Sequence, residues 1–427
     1  MNEWRLVLAS PLFRRFWLAL LTNNLGNWCV IASLPILVAA KFGAGEELIL
    51  SLGLRVLPKI VLAPLAGDLV QRLGSTKLAS WSLAAMAVLT ATLPWCDDFI
   101  LLQCVIAAIG TLEVFLTPGL LSLRGPVTPP GREMAGNTLC SVADRAAKFA
   151  GPVLGGAILL AGFVPAFLVF GIALLAASVA IGRLPDVPRD STSPTGRWHA
   201  LRLPMEFGRM LRDDTRLIGL LTAAVTYMVM LGGLRPFLFW ANRDWFGASD
   251  AAWTGLLAAQ GAGALAGALL AGFFSTALLR RIGAYQLTLL TGILEGVLLL
   301  SLVFVETTTQ AMVILALASM PEIISTASWF TAFQQRLTPR QQGVFFAFAA
   351  PLWDVAFVSG VAVGGLYASG IMPLSGYWAL VTLSATVPLV PLLVISAFRV
   401  ESALSASRAE PARGPRDERA AGPPPAP

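Results

Sequence analysis

The stretch "SVADRAAKFAGPVLGGAILLAG" (Ser141–Gly162) places three charged residues near the start of a run that is otherwise small and apolar. Its pattern returns in the second half of the chain. Asp144 has a counterpart in Asp354, 210 residues later. The glycines that follow recur after 209 residues, with Gly151, Gly155 and Gly156 matched by Gly360, Gly364 and Gly365. Repetition at a fixed distance indicates that the chain contains two related halves.

Two further features repeat at the same distance. The triplet "RLG" at 72–74 returns as "RIG" at 281–283, and Glu113 returns as Glu322, both after 209 residues. One such match is explained by chance, but a near-constant distance over several features is not. The sequence repeat therefore divides the chain into two halves with the same order of features.

The composition is that of a membrane protein. Of the 427 residues, 56% are hydrophobic and 13% are charged, and the mean hydropathy is +0.74. Twelve apolar runs are each about long enough to cross a hydrocarbon core of ~30 Å as a helix. They lack the alternation of apolar and polar residues that membrane β-strands show. We predict an all-α integral membrane protein with transmembrane helices over residues 16–40, 47–70, 77–95, 99–123, 134–162, 163–183, 215–240, 250–277, 284–305, 309–332, 341–370 and 374–398.

The repeat assigns these helices to two bundles. Six spans separate the paired features, and an even number preserves the direction through the bilayer, so the halves are parallel repeats of the kind that transporters use. We predict an N-terminal six-helix bundle over residues 1–184, a basic linker over 185–214 and a C-terminal bundle over 215–400. Residues 401–427 are rich in Pro and Ala and are predicted to be a disordered tail.

The distribution of Lys and Arg predicts the orientation. Most of them fall in the connections that lie on the side of both termini, whereas the opposite connections hold Lys41 and Arg243. Positive connections stay in the cytoplasm. We therefore predict a multi-pass protein of the cytoplasmic (inner) membrane with both termini cytoplasmic. This asymmetry explains the net charge of +6, so no binding of nucleic acid is inferred.

Several classes of function are disfavoured. The one histidine, His199, argues against bis-histidine haem, a zinc-protease site and a His-based triad. The four cysteines show no C-x-x-C spacing, and no phosphate-binding G-x-x-x-x-G-K-[ST] loop occurs. We therefore expect no metal, no cofactor and no enzymatic activity.

Local motifs resemble a known family. The connection "GDLVQRLGSTK" after the second span resembles the G-x-x-x-D-R-x-G-R-[RK] signature of the major facilitator superfamily: Gly67, Arg72 and Gly74 match, and Gln71 stands where an acid is expected. The segments "RRFWLALLTNNLGNW" (14–28) and "NTLCSVADRAAKFAGPVLGG" (137–156) are similar to the branch that contains the enterobactin exporter and the macrolide efflux pumps. The resemblance implies the twelve-helix transporter fold, a loop that latches two helices together on the cytoplasmic side, and export.

Ten charged residues fall in the interior of the predicted spans, away from their ends. A charge near the bilayer centre costs at least ~2.5–3.5 kcal/mol, so such residues face a bundle interior or a wet cavity and have partners. The two signs are equal in number. The cations are Arg55, Lys59, Arg145, Lys148 and Arg235, and the acids are Glu113, Asp144, Glu295, Glu322 and Asp354.

Four of these acids are candidate proton carriers: Asp144, Glu113, Glu322 and Asp354. They form two repeat-related pairs, and a desolvated carboxyl group binds a proton more readily than one in water. In the superfamily the fourth and tenth helices line the central cavity, and the resemblance implies this position for Glu113 and Glu322. Glu295 falls on the ninth helix, which is peripheral in the superfamily, and is left out of the predicted site.

The helix that contains Asp144 has two interpretations. Asp144 and Lys148 share a helix face and form either a structural ion pair or part of a functional site. The small residues beyond them allow a neighbouring helix to approach closely. Pro152 is expected to bend the helix. The residues predicted to serve this bend and close packing are Gly151, Pro152, Gly155 and Gly156.

The cations and amides are candidate contacts for substrate or counter-charge. Arg55 and Lys59 are expected to face Asp354 or an anionic ligand, whereas Arg235 belongs to the site or extends to the membrane surface. Arg145 finds a partner away from Asp144 or faces the cavity. The asparagines of the first span bind substrate or neighbouring helices, and two deep tryptophans offer stacking surface. These side chains are Asn23, Asn24, Asn27, Trp329 and Trp353.

The sequence thus predicts a monomeric secondary transporter that exports a medium-sized amphipathic organic compound, such as a siderophore, antibiotic or drug, in exchange for protons. Its partners are this small molecule, protons and the lipid bilayer. Two alternatives stay open. One is a lysophospholipid flippase or solute importer of the same fold, and the other is a sensor or enzyme that keeps the fold without transporting anything.

Overall fold

The computed structural model describes residues 2–185 and 197–396, and within these ranges the chain is helical and contains no strand. Side chains are described there except at 2–3, 63–72, 133–134, 197–204, 271–280, 339–340, 343 and 347. The predicted tail lies outside the described residues. In chain order the helices are α1 (Asn2–Ala9), α2 (Pro11–Lys41), α3 (Glu46–Leu73), α4 (Ser75–Thr92), α5 (Phe99–Val127), α6 (Glu133–Leu159), α7 (Phe163–Gly182), α8 (Arg197–Asp213), α9 (Thr215–Trp240), α10 (Asp250–Ile282), α11 (Ala284–Leu300), α12 (Thr308–Gln334), α13 (Pro339–Val363), α14 (Gly365–Ala368) and α15 (Leu374–Thr386).

The predicted all-helical membrane fold is confirmed. Ten helices of the described chain are long and apolar enough to cross a membrane, the last of them extending to Ser396. Two more, α3 and α6, have 28 and 27 residues and carry the intramembrane charges of the N-terminal half other than Glu113. With a rise of about 1.5 Å per residue, each is long enough to cross the hydrocarbon core. Each of the twelve predicted spans coincides with one long helix.

The repeat is visible in how the helices begin. Gly74 between α3 and α4 has φ +87°, and Gly283 between α10 and α11 has φ +85°, a conformation that favours glycine. These two glycines occupy equivalent positions of the sequence repeat. At the same spacing, Asp98 accepts a hydrogen bond from the Leu101 amide at the start of α5, and Thr307 accepts one from the Gln310 amide at the start of α12. The first turns of α5 and α12 are therefore capped in the same way, by a side-chain oxygen that accepts a hydrogen bond from a backbone amide.

Helix packing follows the same repeat. In the N-terminal half α2 packs on α6 and α7, α3 on α5, and α4 on α5 and α7; in the C-terminal half α9 packs on α13 and α15, α10 on α12, and α11 on α12 and α15. The halves are joined mainly by α6 against α10 and by α3 against α13. Since these two contacts exchange under the repeat, the bundles are related by pseudo-twofold symmetry.

The described structure shows close packing between the bundles near one of its two sides. We call the side where α2 begins the terminal face and the opposite side the far face. Near the far face, Trp253 Nε1 of α10 donates to the Ala32 carbonyl oxygen at 2.8 Å, and Trp240 Nε1 of α9 donates to the Ala44 carbonyl oxygen at 2.5 Å. One buried apolar cluster there contains residues of both halves. The two other described clusters each belong to one half, so the far face is closed.

The predicted linker contains a helix. Residues 186–196 lie outside the described part, but α8 occupies the rest of the segment. Its Phe207 ring stacks on Phe348 of α13 with centroids 5.2 Å apart. The ion pair between Asp214 and Arg336, at 3.2 Å, closes the same end of the C-terminal bundle. The linker is therefore attached to the C-terminal bundle at the terminal face.

Close packing within the N-terminal bundle depends on Gly110 of α5. A Cβ atom there would collide with the backbone carbonyl group of Arg55, whereas a Cβ at Gly53 of α3 would meet no atom within 4 Å. We predict that Gly110→Ala destabilises the protein by about 1–3 kcal/mol, because backbone cannot yield as a side chain does. Gly53→Ala, the matched control, should be neutral or stabilising by up to ~1 kcal/mol.

The measurement is the midpoint of thermal unfolding in detergent, followed by size-exclusion chromatography. Equal midpoints for the two variants would contradict the close approach of α3 and α5.

Candidate functional site

The first cluster of buried charges lies within the N-terminal bundle. The Glu113 carboxylate on α5 accepts hydrogen bonds from the Arg55 guanidinium, from Nε at 3.2 Å and from Nη2, and lies 2.9 Å from Lys59 Nζ. Arg55 Nη2 also donates to Asn27 Oδ1 at 2.6 Å. One acid thus neutralises two cations that are spaced one helical turn apart on α3, and an amide of α2 completes the contacts.

This arrangement corrects the predicted partners of Arg55 and Lys59. They were expected to face Asp354 or a ligand, but both bind Glu113. Asp354 on α13 lies only within electrostatic reach of Lys59. The reason is the close approach of α5 at Gly110, which brings the Glu113 side chain under both cations.

The second cluster joins the two bundles. Glu322 on α12, 8% exposed, accepts a hydrogen bond from the Tyr227 hydroxyl at 3.0 Å. Its carboxylate lies 3.5 Å from Lys148 Nζ, which belongs to α6 of the N-terminal bundle. Among the described residues, this is the ion pair that connects the bundles in the interior of the protein.

The expected ion pair between Asp144 and Lys148 is therefore not formed in the described structure. Lys148 reaches across to Glu322 because α6 packs directly against α10 of the other bundle. Asp144, one turn earlier, is exposed and accepts a long hydrogen bond from Asn24 Nδ2 at 3.5 Å. The two residues share a helix face, as predicted, but their side chains have different partners: Lys148 pairs with Glu322 and Asp144 accepts a hydrogen bond from Asn24.

Glu295 on α11 is a functional candidate that the sequence interpretation omitted. It is 5% exposed and lies within electrostatic reach of Glu322 and Lys148. Among the described residues its carboxyl group makes no hydrogen bond or ion pair. The sequence already pointed to this residue, since an acid within an apolar span needs a compensating partner. Glu295 was left out of the predicted site because the ninth helix was assumed to be peripheral.

Arg235 on α9 lies between the bundles and does not extend to the membrane surface. Its guanidinium carbon lies 5.7 Å from the ring centre of Trp28 on α2 and 5.8 Å from that of Phe357 on α13. It shares a small cavity with Arg55. Cation–π contacts therefore supply the stabilisation that an acid would otherwise provide.

A polar cavity of about 340 Å³ lies within the N-terminal bundle. Its wall is formed by α2, α3, α5 and α6 and reaches from Glu113 at the centre to Arg124, near the terminal end of α5. The polar side chains that line it include most of the predicted substrate contacts: Asn23, Asn24, Asn27, Lys59, Glu113, Asp144 and Arg145. Asn23 donates to Asn24 Oδ1 at 3.1 Å, so these amides form part of one network.

An aromatic cavity of about 150 Å³ lies within the C-terminal bundle. Glu322, Trp329 and Phe330 line it from one face of α12, and Trp353 closes it from α13. Trp329 and Trp353 meet edge to face at 5.7 Å, and Trp329 Nε1 donates to the Leu220 carbonyl oxygen at 2.8 Å. Glu295 and Tyr227 complete the polar part of the wall.

The small residues of α6 lie against two helices. A Cβ at Gly155 would lie 3.1 Å from Cys29 Cα on α2, and one at Gly151 would collide with Trp28. Gly156 faces Thr254 of α10, and Pro152 lies inside the helix. The side chains of the loop signature at Gly67, Gln71 and Arg72 lie outside the described residues, and its last member, Gly74, forms the turn described above.

The fold and the charged interior between two bundles define a membrane transporter. The sequence matches the Major Facilitator Superfamily over residues 16–361. Because this match covers most of the chain, the chain belongs to that superfamily.

Solved structures agree with this fold. The peptide transporter POT in complex with sulfate is similar with a TM-score of 0.71 at 14% identity, over 93% of this chain and 98% of that one. The nucleoside transporter NupG gives 0.66 at 13% identity, over 90% and 98%. A bacterial homologue of the human lysosomal transporter Spinster, inward-facing and unoccupied, gives 0.63 at 16% identity, over 91% and 95%. No curated protein matches the chain.

The ion cluster at Glu113 generates a prediction on stability. Glu113→Gln leaves Arg55 and Lys59 without their acid; the Arg55 side chain is 12% exposed. Removing one partner of a buried pair costs about 3–5 kcal/mol, so the thermal midpoint in detergent should fall strongly. The double variant Glu113→Gln with Arg55→Gln should recover part of the loss.

Glu306→Gln, at an exposed glutamate, is the control and should leave the midpoint unchanged. A Glu113→Gln protein that unfolds at the wild-type temperature would refute the structural role of the cluster.

Proposed function

We propose that the protein is a proton-coupled secondary transporter that exports a medium-sized amphipathic organic compound. The observation that supports this most directly is the Lys148–Glu322 ion pair, at 3.5 Å, between the bundles and beside the aromatic cavity. Alternating access requires the bundles to rock about a central site. A charge interaction across that boundary is a natural place for a proton to act.

The contacts of the four proposed proton carriers differ. Glu113 neutralises two cations, so proton binding there would leave two buried charges without an acid. Asp144 faces the polar cavity, and Asp354 has Lys59 within electrostatic reach. Glu322 shares a single lysine with Glu295. Glu322 is therefore the first choice for the coupling proton, since its neutralisation releases Lys148 without leaving a second cation.

The two cavities suit an amphipathic cargo. The cavity of the N-terminal bundle offers amides, carboxylates and Arg145, whereas that of the C-terminal bundle offers aromatic rings. A substrate with one polar and one apolar end finds a matching wall on each side. With both termini in the cytoplasm, as the Lys and Arg distribution indicates, the closed far face would be the outer one, and cargo would enter from the cytoplasm.

Import by the same fold is the competing function. The experiment uses everted membrane vesicles with an imposed pH gradient and a fluorescent pH probe. A siderophore, a macrolide and a cationic dye are added in turn. Proton release triggered by one of them supports export by antiport. If none of the three compounds triggers proton release, in vesicles where a known antiporter responds, the result would favour an importer or a lipid flippase.

The same assay tests the coupling residue. Glu322→Gln removes the titratable group but keeps the shape and the acceptor for the Tyr227 hydroxyl, so we predict at least a tenfold loss of substrate-triggered proton release with the protein still folded. Downhill movement of substrate without a gradient should persist.

Asp250→Asn, at an exposed acid near the far face, is the matched control and should keep wild-type proton release. Full proton release by Glu322→Gln would remove Glu322 from the coupling mechanism.

A further inference from the structure

The aromatic cavity of the C-terminal bundle has more carboxyl groups than cations around it. Glu322 and Glu295 face it, and Lys148 is the ammonium group within reach of both. Tyr227 contributes a neutral hydroxyl. The Arg235 guanidinium interacts electrostatically with Tyr227 but packs between Trp28 and Phe357. Two carboxyl groups opposite one lysine leave one acid that a proton or a ligand cation has to neutralise.

Glu295 is the acid that lacks a partner. The residue is only 5% exposed, and its carboxyl group forms no hydrogen bond or ion pair with the part of the chain that is described. It lines the cavity together with Glu322 and Thr288. A buried carboxyl group that faces a cavity and forms no ion pair with the described chain is placed to bind a positive group of a ligand.

The rings around these acids are held in fixed orientations. Trp329 is stacked on Phe333 at 5.1 Å and meets Phe330 edge to face at 5.1 Å. Trp353 meets Phe346 edge to face at 5.7 Å, and its buried Nε1 atom has no hydrogen-bond partner among the described residues. Faces of Trp rings attract cations.

We propose that this cavity is the binding site for an organic cation with an aromatic or bulky apolar body. Its positive group binds Glu295 and Glu322, and its body lies against Trp329 and Trp353. The cavity volume of about 150 Å³ accommodates the positive group and the ring next to it, and the rest of a larger ligand extends beyond the cavity. This assignment rests on the proposed transport function and specifies the charge class of its substrate.

Occupancy of this site would act on the contact between the bundles. A cation at Glu322 competes with Lys148 for the same carboxylate, so substrate and the α6 lysine exclude one another. A proton on Glu322 has the same effect on Lys148. Cation and proton thus become alternative occupants of one site, which is the requirement for exchanging one for the other.

The test is equilibrium binding to the purified full-length protein in detergent, measured by calorimetry without any pH gradient. The probes are tetraphenylphosphonium, a cation, tetraphenylborate, an anion of the same shape, and triphenylphosphine oxide, which is neutral. We expect saturable binding of tetraphenylphosphonium with affinity at least tenfold above that for the other two.

Glu295→Gln is the decisive variant, because it removes a charge without breaking a described ion pair, and it should weaken tetraphenylphosphonium binding at least tenfold. Trp353→Leu should weaken it severalfold, whereas Trp81→Leu, at a tryptophan 77% exposed on the outside of the protein, should not. Equal affinity for the neutral probe, or unchanged binding by Glu295→Gln, would overturn the assignment.

The two proposals fail separately. If the vesicle assay shows proton-coupled transport of a siderophore while the purified protein does not bind tetraphenylphosphonium, export stands and the cation site is refuted. If tetraphenylphosphonium binds through Glu295 while none of the three compounds triggers proton release from the vesicles, the cation site stands and the result favours an importer or a lipid flippase.

Discussion

The cost of placing charge in a low-dielectric interior governs this structure. Each charged side chain inside the bilayer needs a partner, and the chain supplies these partners asymmetrically. In the N-terminal bundle one acid, Glu113, neutralises Arg55 and Lys59. In the C-terminal bundle two acids, Glu295 and Glu322, share one lysine that comes from the other half. The bundles are thus linked electrostatically as well as by packing.

The asymmetry departs from the sequence repeat. Glu113 and Glu322 occupy equivalent positions, but α10 has no cations at the positions that correspond to Arg55 and Lys59, where the sequence has Ala264 and Ala268. The C-terminal acid must therefore draw its cation from outside its own bundle. Lys148 fulfils this need because α6 is one of the helices that pack across the boundary. Pseudo-symmetric helices thus carry a polar network that is not symmetric.

Much of the fold was predictable because its causes are local or periodic. Apolar length defined the twelve spans, and the constant spacing of the paired motifs defined the repeat that the turns at Gly74 and Gly283 make visible. The partners of individual charges were not predictable. Spacing along α6 favoured a pair between Asp144 and Lys148, but the structure pairs Lys148 with Glu322, which belongs to the other half of the chain. Such a choice depends on helix rotation and on which neighbour lies closest, and neither is encoded in spacing.

Glu295 illustrates why a site has to be located from contacts. Its helix is peripheral in the general plan of the fold, and on that ground the residue was omitted. In the structure α11 packs against α12, which turns Glu295 toward the same cavity as Glu322. A second carboxylate beside the first changes the chemistry of the cavity, because a single acid would be satisfied by Lys148 alone. Two acids keep one negative charge available, and a transporter needs that charge if it is to hold a proton in one state and a cation in the other.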